Sequence, residues 1–109
     1  MFKFIKKLLG NNLETLSVPR SSKWNKVRKE HLKKYPTCCA CGGDKKVTPH
    51  HIVPVHVNPS LELDFDNLIT LCEDSSFNCH LFFGHFKNWR LYNPNVVNDS
   101  KNWLKKIKK

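Results

Sequence analysis

The sequence has few acidic residues and no long hydrophobic run. Asp and Glu number 9 against 19 Lys and Arg, which gives the 109-residue chain a formal net charge of +10. This excess of cations is typical of nucleic-acid-binding proteins, although a solvated basic surface alone also keeps a small protein soluble. Lys interrupts the apolar residues of the opening "MFKFIKKLLG", and no small-residue cleavage site follows. We therefore expect neither a secretory signal peptide nor a membrane span.

Cysteines are also few, and their number is odd. Five Cys without a secretory signal argue against a disulfide framework and indicate a soluble, cytoplasmic protein in a reducing compartment. A chain of this length has room for one domain with a modest core, and cores of that size usually need a staple. A metal held by cysteines is a staple that this composition allows.

The first 20 residues are predicted to lie outside the main domain. Apolar residues at helical intervals make residues 1–9 a basic amphipathic segment, which is too short for a stable helix unless it docks. It could pack on the domain, fray, or lie on an anionic membrane surface, and its small apolar area favours the first two. Gly10 to Arg20 contains turn formers and reads as a linker. The expected division is residues 1–20 and a domain over residues 21–109.

A basic helix is predicted to open the domain. Ser21 or Ser22 can cap a helix that runs to about Lys34, where the Tyr35-Pro36 step should stop it. Its inner stripe would be Trp24, Val27, His31 and Leu32. Its outer face would carry cations that suit a phosphate backbone: Lys23, Lys26, Arg28, Lys29, Lys33 and Lys34.

Shorter elements are predicted further along the chain. The segment "KKVTPHHIVPV" is β-branched and interrupted by Pro, which indicates a small hairpin or ribbon. A second helix should begin near Asn78 and carry Lys87, and "NPNVVNDS" should break it. The closing "SKNWLKKIKK" can form a last amphipathic turn or two with Trp103, Leu104 and Ile107 inward.

Four of the cysteines have the spacing of a metal site. Cys38 and Cys41 form a CxxC pair followed by two Gly, which permit the tight turn that such a knuckle needs. Cys72 and Cys79 can complete a tetrahedral zinc site, although six residues separate them instead of the usual two to four. The alternative is that these cysteines are small buried hydrophobes, and Cys39 is interpreted in that way.

Two adjacent histidines point to a second site. On an extended strand the side chains of His50 and His51 lie on opposite faces, so they are a poor pair of ligands for one metal. That geometry suits a division of labour in which one ring binds a metal and the other works as a base. His80 follows Cys79 directly, so the zinc site would carry another imidazole toward the ribbon.

These motifs together resemble the HNH endonuclease family of the ββα-metal type. The resemblance rests on the CxxC pair, "HHIVP" from His50, "DNLITLC" from Asp66 and "CH" at Cys79-His80. It implies an α+β fold, with a zinc-stapled ββα-metal core between N- and C-terminal helices. It also implies a small nuclease of the phage or mobile-element kind.

The resemblance further implies roles for single residues. His51 would be the general base, and His50 and His80 would hold a catalytic divalent ion such as Mg²⁺, Mn²⁺ or another first-row metal. Asn67 would fix the loop and the orientation of the His51 ring. The structural zinc would be held by Cys38, Cys41, Cys72 and Cys79. Phosphodiester hydrolysis needs these parts, because water must lose a proton near neutral pH while a cation offsets the developing charge.

Other candidate residues have weaker patterns. His85 stands five residues after His80, which in an α-helix turns it away, so it is only a candidate third ligand or phosphate contact. His56 is interpreted as a ribbon-end or surface residue. Trp89 could track nucleic acid or belong to the core. The residues expected to bind nucleic acid are Lys23, Lys26, Arg28, Lys29, Lys87 and Arg90.

The resulting expectation is a metal-dependent endonuclease that acts on DNA, with no membrane partner. Nicking and double-strand cleavage both remain open, as do a monomer and a homodimer. One alternative is a zinc-knuckle protein that binds nucleic acid without cutting it. Another is a nuclease of the same fold that acts on RNA or branched DNA.

Overall fold

Two short strands and two α-helices surround the candidate sites in the part of the chain that the structure describes. The computed structural model describes residues 19–108. The predictions for residues 1–9, and most of the linker prediction, lie outside the described residues. The elements in chain order are α1 (Trp24–Lys34), β1 (Val47–His51), β2 (Leu68–Cys72), a π-helical turn (His80–Gly84) and α2 (Val96–Ile107). This arrangement confirms the α+β class and the ββα-type core.

The two strands form an antiparallel ribbon. Val47 lies opposite Cys72, and His51 lies opposite Leu68. Between the strands, 3₁₀ turns at Pro59–Leu61 and Phe65–Asn67 shape the connecting loop. All five residues of β2 are buried, because the apolar segment "LITLC" lies in the middle of the molecule. The core around it consists of Cys38, Ala40, Ile69, Leu71, Cys72, Cys79, Phe83 and Val96.

Helix α1 ends as predicted but begins slightly later. Its N-cap is Lys23, which makes no side-chain cap, so the predicted cap at Ser21 or Ser22 was wrong. Ser21 instead shapes the preceding turn, since its hydroxyl accepts from the Lys23 amide at 3.1 Å. His31 is buried on the inner face. Arg28, predicted to face outward, is half-buried and lines a cleft.

The two later helical segments differ more from expectation. The helix after Asn78 is a short π-helical turn that ends before Lys87, which was predicted to lie on it. Helix α2 starts at Val96, inside the segment "NPNVVNDS" that was expected to end the preceding helix and to have no helical structure of its own. Trp103 and Ile107 were predicted to face inward but are 38% and 45% exposed, because Val96 and Ser100 supply the buried side of the helix. None of the helices in residues 19–108 is long and apolar enough to cross a membrane.

Candidate active site and metal centres

Four cysteines from three parts of the chain meet at one point. The Sγ atoms of Cys38, Cys41, Cys72 and Cys79 all lie within 4.8 Å of one another. The Cys41 and Cys72 sulfurs are 3.7 Å apart, whereas a disulfide bond is about 2.05 Å long. Sulfurs bound at about 2.3 Å to one tetrahedral zinc ion are about 3.8 Å apart. The spacing therefore fits a shared ion, and the described cysteines form no disulfide.

The knuckle holding the first two cysteines directs amide hydrogens at sulfur. Gly42 has a φ of 79°, and its amide donates to the Cys38 carbonyl at 2.8 Å, which closes the turn. The Cys41 amide lies 3.5 Å from the Cys38 sulfur, and the Gly43 amide lies 3.4 Å from the Cys41 sulfur. Such N–H groups favour thiolates, which are the form of cysteine that binds metal.

The thiols of the cluster compete for protons. A hydrogen bond from Cys79 lowers the pKa of Cys38 to about 4. The same contact, together with burial, raises the pKa of the Cys79 thiol. Burial is the largest of the causes that raise the pKa of Cys41 to about 11. Cys38 is therefore stable as a thiolate, and a cation is needed to hold Cys41 and Cys79 deprotonated beside it.

The long spacing between Cys72 and Cys79 is absorbed by a tight turn. Asp74 forms a bridge with Phe77, so the six-residue segment folds back on itself. The Asp74 carboxylate accepts from the amide and the hydroxyl of Ser76, both at 3.1 Å. This turn returns Cys79 to the cluster despite the unusual spacing. Cys39 lies outside the cluster and is half-buried.

A second cluster contains three histidines. Ring nitrogens of His50, His80 and His85 lie within 4.8 Å of one another. The Nε2 atom of His80 is 3.0 Å from Nδ1 of His50 and 3.3 Å from Nε2 of His85. Five residues of an α-helix rotate about 140° beyond a full turn. The π-helical turn has an i→i+5 register instead, and this brings His85 to the same side as His80.

Hydrogen bonds on the outer nitrogens fix which ring atoms face the middle of this cluster. Nδ1 of His80 donates to Oε2 of Glu73 at 2.8 Å, and Nδ1 of His85 donates to the Leu91 carbonyl. Because these oxygens are acceptors, the neutral rings carry their hydrogens on Nδ1. Both Nε2 atoms then present lone pairs to each other, and a cation between them would remove the repulsion. Such outer bonds are usual for histidines that bind metal.

Burial keeps the three rings neutral. Desolvation is the largest cause that lowers the pKa of His80 and of His85. It lowers the pKa of His50 well below the usual value, and the neighbouring His80 adds to the effect. Neutral imidazole is the form that binds a metal. The donor set and its protonation therefore fit a divalent ion.

Gly84 allows the histidines to approach this closely. A Cβ atom at this position would lie 3.0 Å from Cε1 of His50 and 3.2 Å from both of its ring nitrogens. The π-helical turn can therefore pack directly against the imidazole only where no side chain intervenes.

His51 lies on the other face of β1. Its Nε2 atom donates to the Glu62 carbonyl at 2.9 Å, and its ring centroid lies 4.7 Å from that of Trp24. A carbonyl only accepts, so Nδ1 of the neutral ring keeps its lone pair. Burial is the main cause that lowers the pKa of His51. The ring is thus neutral near pH 7 and able to take a proton at Nδ1.

Asn67 braces the loop that holds the His51 ring. Its Oδ1 accepts from the Val53 amide at 2.8 Å, and its Nδ2 donates to the carbonyls of Val53 and Leu61 at 3.0 and 3.2 Å. Leu61 directly precedes Glu62, whose carbonyl accepts from His51. The Asn67 amide therefore acts on the ring through the main chain of the loop.

One cleft reaches both histidine groups. It has a volume of about 240 Å³, and its lining includes His50, His51, His80, His85, Trp24, Arg20 and Arg28. The two guanidinium groups bring positive charge to the side of the cleft formed by α1 and the segment before it. A phosphate group is a natural ligand for such a concave basic site.

The other predicted contact residues have varied surroundings. Lys26 and Lys29 are exposed on α1, and its N-cap Lys23 is exposed as well. Nζ of Lys87 lies 5.3 Å from the centre of the Phe82 ring, while Arg90 is exposed. His56 is half-buried, with its ring 6.4 Å from that of Tyr92. Trp89 is 47% exposed, so it does not belong to the core.

The comparison with protein families identifies the segment that carries most of these residues. The sequence model of the HNH endonuclease family matches residues 37–81. This segment is similar to the HNH endonuclease family. The family resemblance drawn from the motifs is thereby confirmed, and it supports a nuclease-type function in general. Neither the curated proteins nor the solved structures gave a significant match.

The HNH segment does not contain the whole site. His85 lies beyond its end, and Trp24 and Arg28 lie before its start. Glu73 falls inside it but had no predicted role, because nothing in the sequence indicates that it reaches His80. The Gly before His85 in "FFGH" is a signal for close approach, but it does not identify the ring that approaches.

Proposed function

We propose that this protein is a metal-dependent endonuclease that hydrolyses phosphodiester bonds in DNA. The observation that carries the proposal is the position of His50 and His51 on opposite faces of β1, with both rings lining one cleft. His51 is the general base. His50, His80 and His85 hold the divalent ion. The nuclease domain is assigned to residues 21–109, and the first 20 residues are assigned to a separate basic segment.

The proposed base takes a proton from the attacking water at Nδ1. The Glu62 carbonyl holds the opposite nitrogen and bonds more strongly once the ring is charged. The Trp24 ring, 4.7 Å from the imidazole, offers its face to the same charge. Asn67 is a positioning residue, since its contacts are with the loop main chain.

The three histidines determine which ions suit the site. When bound, a divalent ion offsets the charge that develops on the phosphate and on the departing 3′ oxygen. Imidazole suits first-row ions such as Zn²⁺, Fe²⁺ and Ni²⁺, whereas Mg²⁺ prefers oxygen ligands. Three imidazoles therefore favour Mn²⁺ or a later first-row ion over Mg²⁺. The four thiolates hold a separate structural zinc ion.

The basic side chains around the cleft orient the substrate. Arg28 lines the cleft directly, and Arg20 lies with its guanidinium carbon 5.8 Å from the Trp24 ring centre. These groups bind the phosphate that is cleaved. The phosphates on either side of the cleaved one are bound by exposed cations. These are Lys23, Lys26 and Lys29, at the start and on the outer face of α1, together with Lys87 and Arg90.

Cleavage of supercoiled plasmid tests the proposal. Zinc-loaded protein should convert the plasmid to open-circular or linear product when Mn²⁺ is added. His51→Ala should abolish conversion while the zinc content stays unchanged, and His56→Ala should cleave normally. Plasmid that is retarded on the gel but not cut under any metal would instead support the binding-protein alternative.

RNA or DNA with unpaired segments forms the second candidate class of substrate. Exposed aromatic side chains beside the site favour it, because unpaired bases can stack on such rings.

A further inference from the structure

Four exposed aromatic side chains form a strip beside the histidine cluster. Phe77, Phe82, Trp89 and Trp103, here called the aromatic strip, are between 38% and 47% exposed. Single exposed apolar residues are ordinary on protein surfaces. Neighbouring ones that touch mark an interaction site more often.

Ring contacts connect Phe77, Phe82 and Trp103 to one another and to the core. Phe77 lies 5.3 Å from Phe82 between ring centroids, and it stacks on Trp103 at 6.4 Å with an interplanar angle of 28°. The buried Phe83 touches both Phe82 and Trp103, at 4.9 and 6.1 Å. The rings are therefore held in place from below while their outer surfaces face solvent.

One end of the strip reaches the proposed active site. The Trp89 ring lies 4.9 Å from the ring of His80 and 4.9 Å from that of His85. Lys87, two residues before Trp89, holds its Nζ 5.3 Å from the centre of the Phe82 ring. Trp89 therefore contacts the histidine cluster, and Lys87, two residues before it, contacts the Phe82 end of the other three rings.

The backbone beside Trp89 is held in an unusual conformation. Phe86 and Lys87 have φ values of 53° and 64°, a left-handed region that side chains other than glycine seldom adopt. The Lys87 amide donates to the Leu81 carbonyl at 2.9 Å, which fixes this turn to the π-helical segment. Phe86 is left 45% exposed. Residues in such sparsely populated backbone conformations cluster at active sites and ligand-binding segments.

The charge around the strip favours an anionic partner. Helix α2, which carries Trp103, exposes Lys101, Lys105 and Lys106. At the Phe77 end, the exposed Lys45 and Lys46 lie near the Asp74 carboxylate. A second copy of a chain with net charge +10 would be repelled from this face.

We propose that the aromatic strip is a stacking platform for unpaired nucleotides next to the phosphate that is cleaved. The proposal rests on the proposed nuclease function and specifies its substrate as DNA with a single-stranded segment. Bases in a duplex already stack on one another, so their faces cannot reach the rings. Unpaired bases can stack on aromatic side chains, while Lys87 pairs with the phosphates between them.

Binding without cleavage tests the platform directly. Fluorescence anisotropy compares zinc-loaded full-length protein, without added catalytic ion, on fluorescein-labelled oligo(dT) and on a blunt duplex with the same number of nucleotides. Phe82→Ala and Trp103→Ala should each weaken oligo(dT) binding about fivefold or more, the effect of losing one stacked base. Duplex binding should change by less than about twofold.

A matched control comes from an aromatic residue elsewhere. Tyr35 is 48% exposed and lies under Lys34, with Nζ 5.5 Å from its ring centre, but it is not part of the strip. Tyr35→Ala should leave oligo(dT) binding unchanged. Trp103→Phe should keep most of the affinity, and oligo(dT) should quench tryptophan emission less in that variant than in the parent. Oligo(U), run in parallel, shows whether the strip distinguishes DNA from RNA.

Several results would overturn the platform. An equal loss of affinity for oligo(dT) and for the duplex would mean that the substitutions disturb the fold or the general electrostatics. Strip variants that abolish a concentration-dependent dimer, without changing oligo(dT) binding, would assign this face to a second copy.

The platform and the nuclease proposal can fail separately. If plasmid is never cut but the strip variants still lose oligo(dT), the protein binds single strands and the nuclease proposal falls. If plasmid is cut but the strip variants bind oligo(dT) like the parent, the nuclease stands and the platform is overturned.

Discussion

The Nε2 atoms of His80 and His85 lie 3.3 Å apart, and the hydrogen bond on the far side of each ring makes both of them acceptors. Two lone pairs at that distance repel unless a positive charge lies between them. A divalent cation bound to both atoms would relieve this repulsion, independently of any family resemblance. The contact also supports the proposal that His85, which the sequence offered only as a candidate third ligand, joins His50 and His80 in one site.

Replacing His85 should weaken binding of the second metal. His85→Ala removes one of three imidazoles, and we expect the affinity for Mn²⁺ or Co²⁺ to fall about tenfold or more, as weaker perturbations of metal sites already do. Isothermal calorimetry on zinc-loaded protein measures this. His56→Ala is the control, because His56 lies outside the cluster. Unchanged affinity in His85→Ala would remove His85 from the site.

A methyl group at Gly84 should displace the His50 ring. The new Cβ would lie 3.0 Å from Cε1 of His50, a tighter contact than most Cβ atoms make, so the ring would have to shift by a few tenths of an ångström. Gly84→Ala should therefore lower the free energy of unfolding by about 1–3 kcal/mol and weaken divalent-ion binding, with zinc content unchanged. Urea denaturation and calorimetry measure the two effects. Normal values for both would show that the π-helical turn has room to move.

Cysteine substitutions should divide into two groups. Cys79→Ser removes a sulfur from the four-cysteine cluster, and we expect zinc loss and cooperative unfolding near room temperature, because small zinc domains depend on their metal. Cys39→Ser is the matched control, since Cys39 lies one residue from the cluster without joining it. Atomic absorption and circular dichroism give the readouts. Zinc retained in Cys79→Ser would mean that three thiolates suffice.

The buried His31 should make stability depend on pH. Its Nε2 lies 2.8 Å from the Thr70 hydroxyl, which itself donates to the Tyr35 carbonyl, so Nε2 carries the hydrogen. Nδ1 is buried and has no hydrogen-bond partner among residues 19–108. Burial lowers the pKa of His31 below the ordinary value of 6.5, so the unfolded chain binds a proton more readily than the folded one.

The expected direction follows from that difference. The full contribution to stability is present above pH 6.5, and it is lost as the pH falls from 6.5 toward the lower folded pKa. The slope is at most about 1.4 kcal/mol per pH unit for one proton. The charged groups that line the cleft next to His31 are Lys34, Asp66 and Lys101.

The His31→Gln variant tests this pH dependence. The glutamine keeps a donor for Thr70, so the free energy of unfolding, measured by urea titration across this pH range, should depend less on pH in the variant than in the parent. If the free energy of unfolding depended on pH equally in His31→Gln and in the parent, His31 would not be the source of the pH dependence.

The motifs that could be interpreted from sequence are those with local geometry. The CxxC turn depends on two glycines, and the opposite faces of His50 and His51 follow from strand geometry alone. The α+β class followed from the family resemblance. Each of these depends on a few neighbouring residues, so the pattern in the chain carried enough information.

The features that could not be predicted depend on tertiary contacts. The π-helical register that recruits His85 exists because Gly84 packs on His50, a residue more than 30 positions away. The helical spacing of Trp103 predicted that it faces the core, but the buried side of α2 carries Val96 and Ser100 instead. Arg28 was predicted to face solvent, but in the folded chain it lines the cleft beside α1.

The pairing of β1 with β2 makes the two metal centres interdependent. Cys72, a member of the thiol cluster, lies opposite Val47 at one end of the ribbon, and the adjacent histidines occupy the other end. A slip of one residue would exchange the faces of His50 and His51, turning the proposed base into a ligand and the ligand into a base. The thiol cluster thus fixes the register in which β1 pairs with β2. Insertions or deletions within Val47–His51 should consequently be less tolerated than substitutions at the strand positions that hold neither histidine, which makes the length of this strand a feature that selection must preserve.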